Sequence, residues 1–252
     1  MRRGPGSLYR RLRSLEYLVT RDRAAVLAFL RDRRGPPGLA GRADLVRRMI
    51  AVTNHVRGYH TLGEMLAVCG EILARPRPVV VEAGCAYGSS TAKLSLAARA
   101  AGGRLLVFDS FRGLPPNGEV HEHLDGRPVR FRAGAFRATL PAVRRTVARR
   151  GAPEVVSFHK GWFADTLPEL AEPSVDVALL DVDLIESTRA CLRALYPRLA
   201  AGGVLFTLDG QLRATHQLLA DERFWREEVG APAMPRIDGL GRAKLLAIRR
   251  PG

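Results

Sequence analysis

Cysteine is scarce in this chain, with Cys69, Cys85 and Cys191 far apart. Three thiols without a short repeat spacing exclude a disulfide framework and a thiolate zinc site. Cys69 and Cys191 fall in apolar helical patterns and are expected in or near the core. Lysine is nearly as rare: only Lys93, Lys160 and Lys244 occur. Arginine therefore carries almost all of the +15 net charge, and it is spread over the whole length. No recognition helix, zinc-finger spacing or aromatic-interleaved basic strand accompanies it. A nucleic-acid partner is disfavoured, and a solvated arginine-rich surface is expected. Long apolar runs are also missing. Nothing approaches the roughly 20 residues of a membrane span, and no apolar signal region follows the basic Met1-Arg2-Arg3 start. A cytoplasmic protein without a membrane partner is the expectation.

The 252 residues and an apolar fraction of 46% suit one α/β domain with a helical addition. Helical periodicity marks residues 7–32, 42–51 and 62–73, separated by Gly35-Pro36-Pro37-Gly38 and a polar stretch around Tyr59. Up to about residue 75 no strand signal occurs. Residues 1–75 are therefore expected to form a helical lid or dimerisation segment, with 76–252 as the main domain. A homodimer is the default assembly.

From Pro76 onward, short apolar runs alternate with helical stretches. Val79-Val80-Val81, Leu105-Leu106-Val107-Phe108, Val155-Val156-Ser157-Phe158, Asp176-Val177-Ala178-Leu179-Leu180 and Gly203 to Leu208 read as buried strands. Helices are expected over 89–101, 136–150, 187–200 and 212–229, and a last strand from Ala243 to Ile248. This alternation predicts a mostly parallel sheet covered on both faces. Residues 110–128 form a long irregular stretch, as binding loops and lids often do.

Parallel strands present their carboxyl ends to one crevice, and the residues at those ends are informative. Glu82-Ala83-Gly84-Cys85-Ala86-Tyr87-Gly88 follows the first strand. Its two glycines permit a tight turn and close ligand approach, but the spacing is not that of dinucleotide enzymes. The helix start near Ser89 and Ser90 offers N–H donors for a carboxylate. Asp109 ends the second strand, where a carboxylate can accept both hydroxyls of a ribose. Trp162 follows the third strand and can lie against an adenine face. This combination points to S-adenosylmethionine. Asp181 and Asp209 end the fourth and fifth strands. Such a pair can hold a hard divalent cation such as Mg²⁺, or remove a proton from a hydroxyl. Asp183 and Glu186 are further candidates. A base without a metal would be a carboxylate or one of His121, His123 and His159.

Three strings carry a family resemblance. They are Asp109-Ser110-Phe111-Arg112-Gly113-Leu114-Pro115-Pro116, Gly161-Trp162-Phe163-Ala164-Asp165-Thr166-Leu167-Pro168 and Asp181-Val182-Asp183-Leu184-Ile185-Glu186-Ser187-Thr188. With Val81-Glu82-Ala83-Gly84 through Gly88, they resemble the macrocin O-methyltransferase family of macrolide and aminocoumarin biosynthesis. The resemblance implies a Rossmann-like class I methyltransferase sheet, mostly parallel with an antiparallel last strand. It implies methyl transfer from S-adenosylmethionine to a hydroxyl of a glycosylated natural product, with Mg²⁺. Glu82, Gly84, Tyr87, Gly88, Ser89, Asp109, Ser110, Trp162 and Asp181 would then serve the cofactor. Asp181 and Asp209 would be metal ligands, with Asp181, Asp209, His121 and His159 as catalytic candidates.

The chain departs from the pattern at Gly210, where the family carries a second acid, and Gln211 is a weaker substitute. Ile185 stands where the family has tyrosine. The two acids are also spaced as in catechol O-methyltransferase, but Leu184 replaces that enzyme's lysine. A metal-free reaction, or transfer to an amine, therefore stays open beside the metal-assisted one. A non-enzymatic cofactor-binding protein is the remaining alternative, and a nucleotide-dependent oxidoreductase is disfavoured by the first loop.

Overall fold

The computed structural model describes residues 22–252. The first part of the helix expected over 7–32 lies outside the described residues. Its remainder forms α1 (Arg23–Arg31), followed by α2 (Leu39–Thr53) and α3 (Leu62–Leu73). Thr61 starts α3 with a reciprocal cap. Its hydroxyl accepts from the Glu64 N–H at 3.1 Å, and the Glu64 carboxylate accepts from the Thr61 N–H at 2.6 Å.

Then β1 (Val79–Ala83), α4 (Ser89–Ala100) and β2 (Arg104–Asp109) form the first βαβ unit. The long loop after β2 contains a small hairpin, β3 (His121–Glu122) and β4 (Pro128–Val129). Next come α5 (Leu140–Arg150), β5 (Val156–Lys160), the short α6 (Phe163–Thr166), β6 (Val175–Leu180), α7 (Ile185–Leu195) and β7 (Leu199–Thr207). The chain closes with α8 (Arg213–Ala220), a π-helical turn (Phe224–Glu228), β8 (Arg236–Asp238) and β9 (Leu246–Arg249).

The main sheet has the order β5-β2-β1-β6-β7-β9-β8. The five strands from β5 to β7 are parallel, and β9 runs antiparallel to both β7 and β8. Val80, Val81, Leu105, Val107, Val177 and Leu179 are wholly buried, which is why these strands read as unbroken apolar runs. One face packs against α1, α2, α3 and α4. There Phe29, Met49, Met65 and Ile72 join the same apolar cluster as Val80 and Leu179. The opposite face packs against α7, α8 and the π-helical turn through Leu192, Leu219 and Trp225. Cys69, Cys85 and Cys191 are free and buried. No described helix is long and apolar enough to cross a membrane.

Two segments differ from expectation. The helix expected over 212–229 breaks at Asp221, whose carboxylate accepts from the N–H groups of Arg223 and Phe224 and starts a separate turn. Strand β8 and the β3–β4 hairpin were not foreseen, because two or three paired residues leave no periodic signal.

Candidate active site

Register brings the strand ends level. Ala83 pairs with Phe108 on one side and Leu180 on the other, and Leu180 pairs with Thr207. Asp109, Asp181 and Asp209 therefore emerge at the same edge of the sheet, with Asp109 and Asp181 on the two strands flanking β1. A cavity of about 320 Å³ opens there, and all three acids line it with Gly84, Ser110 and Trp162.

Gly84 makes the space possible. Its φ is +86°, and a Cβ at this position would lie 2.1 Å from the Asp181 carbonyl oxygen. Only glycine allows the chain to turn here at that approach. The next N–H, of Cys85, donates to Asp109 Oδ2 at 2.8 Å. Asp109 Oδ1 accepts from the Phe111 N–H at 2.6 Å. The Asp109 carboxylate is thus held in one orientation, with lone pairs left for a ligand. Ser110 Oγ instead closes its own turn, donating to the Gly113 carbonyl and accepting from the Arg112 N–H.

The other residues expected to serve the cofactor divide. Glu82 is wholly buried behind the glycine loop, where its Oε2 accepts from the Thr91 hydroxyl at 2.6 Å. Burial pushes its carboxyl up to about 8, and the charges of Asp109 and Asp181 add to the rise, so it is protonated at neutral pH. Gly88, at φ +81°, starts α4. Ser89 is buried against Lys93, whose Nζ donates to its hydroxyl at 3.3 Å and lies 2.8 Å from His60 Nε2. Tyr87 faces the linker before α3, with the Arg57 guanidinium lying over its ring and that of Tyr59. Glu82, Tyr87, Gly88 and Ser89 form the support of the loop, and Gly84, Ala86, Asp109 and Trp162 form the cavity wall.

At the other end three carboxylates gather. Asp181, Asp183 and Asp209 each place an oxygen within 4.8 Å of the others. Asp183 has φ +59°, an uncommon conformation that turns its side chain back toward the cavity. Asp209 Oδ2 secures that turn by accepting from the N–H groups of Val182, at 3.2 Å, and Asp183, at 3.1 Å. Burial, reinforced by the Asp209 charge, pushes Asp181 up to about 7 and Asp183 up to about 8. Asp209 is also raised, mainly by burial. Three clustered carboxylates held against their own repulsion form an electrostatic demand for a cation. The all-oxygen donor set fits a hard divalent ion. Asp183 thus places a third carboxylate beside Asp181 and Asp209, where Gly210 carries no side chain. At Gly210 no side chain fits: a Cβ would lie 2.5 Å from Leu246 Cγ and 2.6 Å from the Ala243 carbonyl.

The histidines are redistributed relative to expectation. His159 lies flat on Phe108, with ring centroids 4.4 Å apart, and burial lowers its pKa. His121 is buried, with Nε2 2.9 Å from the Glu119 carboxylate. Neither lines the cavity, whereas His123 does. The loop that carries His121 and His123 is docked. Glu119 accepts from the N–H groups of Ile185 and Glu186, capping α7, and His123 bridges to Leu212. The remaining wall is largely apolar and aromatic, with Tyr59, Leu114, Phe131, Phe136 and Phe163.

The macrocin O-methyltransferase (TylF) family model matches residues 71–242. The chain belongs to this family. It is 33% identical over 234 residues to a tetracenomycin-pathway 4'-O-methyltransferase of Streptomyces olivaceus, covering 90% of this chain and 87% of that one. It is 36% identical over 109 residues to demethyldecarbamoylnovobiocin O-methyltransferase of Streptomyces niveus, covering 41% and 40% of the two chains. Among solved structures it resembles the O-methyltransferase NovP, with a TM-score of 0.56 at 20% identity over 98% of this chain and 100% of that one. The last likeness concerns the fold. The chain is an S-adenosylmethionine-dependent O-methyltransferase, and the glycine loop of this macrocin-type enzyme lines one end of the cavity.

Proposed function

We propose that this methyltransferase acts on a sugar hydroxyl of a glycosylated antibiotic precursor, with the acid cluster serving as a divalent-cation site. The observation that carries the reading is the shared cavity: Gly84, Asp109 and Trp162 at one end, and Asp181, Asp183 and Asp209 at the other. Its relatives include a methyltransferase named for a rhamnosyl-tetracenomycin and one for the 3''-position of a mycinamicin. The aromatic wall formed by Tyr59, Phe131 and Phe136 suits the apolar face of a sugar and its aglycone.

In this reading Asp109 accepts the ribose hydroxyls and Trp162 lies against the adenine. N–H groups between Gly84 and Ser90 take the methionine carboxylate, and Ser110 and Glu82 hold the loops that do this. The acceptor oxygen attacks the methyl carbon, the carbon–sulfur bond breaks, and S-adenosylhomocysteine leaves. The hydroxyl proton passes to a carboxylate of the cluster or to His123. Asp181, Asp183 and Asp209 would hold Mg²⁺, which when bound lowers the pKa of the acceptor hydroxyl. The N-terminal segment, through Tyr59, covers the acceptor end and is the proposed homodimer contact.

Calorimetry with S-adenosylhomocysteine and NAD, followed by methylation of rhamnosylated polyketides before and after chelation, tests this assignment. We expect binding of S-adenosylhomocysteine but not NAD, methylation of a sugar oxygen, and loss of turnover on chelation that Mg²⁺ restores. Full turnover in metal-free protein would remove the cation role. Methylation of an amine in preference to a sugar oxygen would overturn the acceptor assignment.

A further inference from the structure

Among the described residues lining the cavity, four carboxylates, from Asp109, Asp181, Asp183 and Asp209, face a single ammonium, that of Lys244. Lys244 lies in the segment leading into β9. The Gly210 N–H donates to its carbonyl at 3.0 Å, so its backbone is bonded to the residue directly after Asp209. The packing of Ala243 and Leu246 that leaves no space for a side chain at Gly210 therefore also places a lysine beside the acids. The Lys244 Nζ is tethered by donating to the Tyr59 carbonyl, and Tyr59 itself lines the cavity. The ammonium's charge reaches all three clustered acids, drawing Asp181, Asp183 and Asp209 down against the upward push of burial.

We propose that Lys244 is the resident counter-cation of the acid cluster and sets its affinity for a divalent ion. The inference rests on reading Asp181, Asp183 and Asp209 as a cation site. Three carboxylates with no neighbouring cation would hold a divalent ion tightly. A tethered ammonium in the same cavity repels an incoming ion and satisfies part of the carboxylates' demand, so the ion binds more weakly and exchanges more readily. At Gly210 this chain has no acid, and Lys244 places a positive charge nearby. Both features act in the same direction on cation affinity.

The test is a Mn²⁺ titration of the full chain at fixed pH, with free ion followed by electron paramagnetic resonance. Lys244→Met, Lys244→Glu and Lys244→Arg are compared with the unaltered protein, and S-adenosylhomocysteine binding reports that each variant is folded. Lys244→Met is expected to tighten Mn²⁺ binding by at least about tenfold, and Lys244→Glu by more. Lys244→Arg, which keeps the charge, should stay within about threefold of the unaltered protein. A purely structural role would weaken binding in the methionine and glutamate variants alike. Equal or weaker binding in folded Lys244→Met overturns the role of Lys244. If neither the unaltered protein nor any folded variant binds Mn²⁺, the cation-site reading falls, and this inference with it.

Discussion

Asp209 holds Asp183 in place: its Oδ2 accepts from the Asp183 N–H at 3.1 Å and from the Val182 N–H at 3.2 Å. An acid at the end of β7 thereby organises the turn after β6 that carries the other two carboxylates. Its removal has two effects. Asp209→Ala deletes one carboxylate of the cluster and leaves the buried Val182 N–H and the half-buried Asp183 N–H without their acceptor. Turnover should fall at least about a hundredfold, while S-adenosylhomocysteine affinity changes by less than about threefold. Asp209→Asn keeps an acceptor for the two N–H groups but loses the charge. If its turnover is also lost, the charge is what matters; a rate within twofold of the unaltered enzyme would remove Asp209 from the chemistry.

The cluster also makes a prediction about stability. Asp181 and Asp183 carry carboxyls pushed up to about 7 and about 8, against an ordinary 3.8. Between these limits the folded chain binds more protons than the unfolded chain. Stability in chelator should therefore fall as pH rises from about 4 to about 8. A divalent ion that binds only the folded form should restore stability at pH 8. Thermal unfolding in chelator and in excess Mg²⁺ measures this. An unfolding midpoint that Mg²⁺ leaves unmoved at pH 8 would contradict it.

Glu82 gives a second pH signature, behind the glycine loop. Burial raises its carboxyl from 4.5 to about 8, so its protonated form belongs to the native state. Its share of stability is complete below about 4.5 and is lost as pH rises through about 8. Glu82→Gln replaces the protonated acid with a neutral group of the same shape. The variant should gain on the unaltered protein as pH rises toward 9 and match it most nearly at pH 5. Urea unfolding at the two pH values reads the difference. A penalty for the glutamine that grows with pH would show that an ionised Glu82 is what the fold requires.

Gly84→Ala tests the geometry of the glycine loop. The added methyl would sit 2.1 Å from the Asp181 carbonyl, at a φ of +86°. Left-handed backbone alone costs an alanine about 1–2 kcal/mol, and the collision adds to it. We expect destabilisation of more than about 2 kcal/mol and weaker S-adenosylhomocysteine binding, because the Cys85 N–H that orients Asp109 moves with the loop. A variant with unchanged stability and unchanged affinity would refute the close approach.

Much of the scaffold was legible because strand burial writes itself locally. Val79-Val80-Val81, Leu105 to Phe108 and Val177 to Leu180 are apolar throughout since both sheet faces are covered, and the last two runs end directly at acids, Asp109 and Asp181, that line the cavity. Asp183 was harder to weigh. Its place in the cluster depends on a positive φ secured by Asp209, a contact across two strands that spacing does not encode. The histidines show the same limit. Which of His121 and His123 reaches the cavity depends on how the β3–β4 hairpin docks on Leu212 and on the Glu119 cap of α7. Lys244 carried no signal, because nothing near it in sequence marks it as a neighbour of Asp209.

By its own pattern of apolar runs, glycines and terminal acids, the sequence determined an alternating α/β chain with its acids gathered at one sheet edge. Those features arise from burial and backbone freedom, which act over a few residues at a time. Tertiary structure alone decided that Asp181, Asp183 and Asp209 converge, that Gly210 has no space for a side chain, and that the Lys244 ammonium shares their cavity. Such relations depend on strand register and crossover packing, which join positions far apart in the chain, and charges interact through space whatever their separation in sequence.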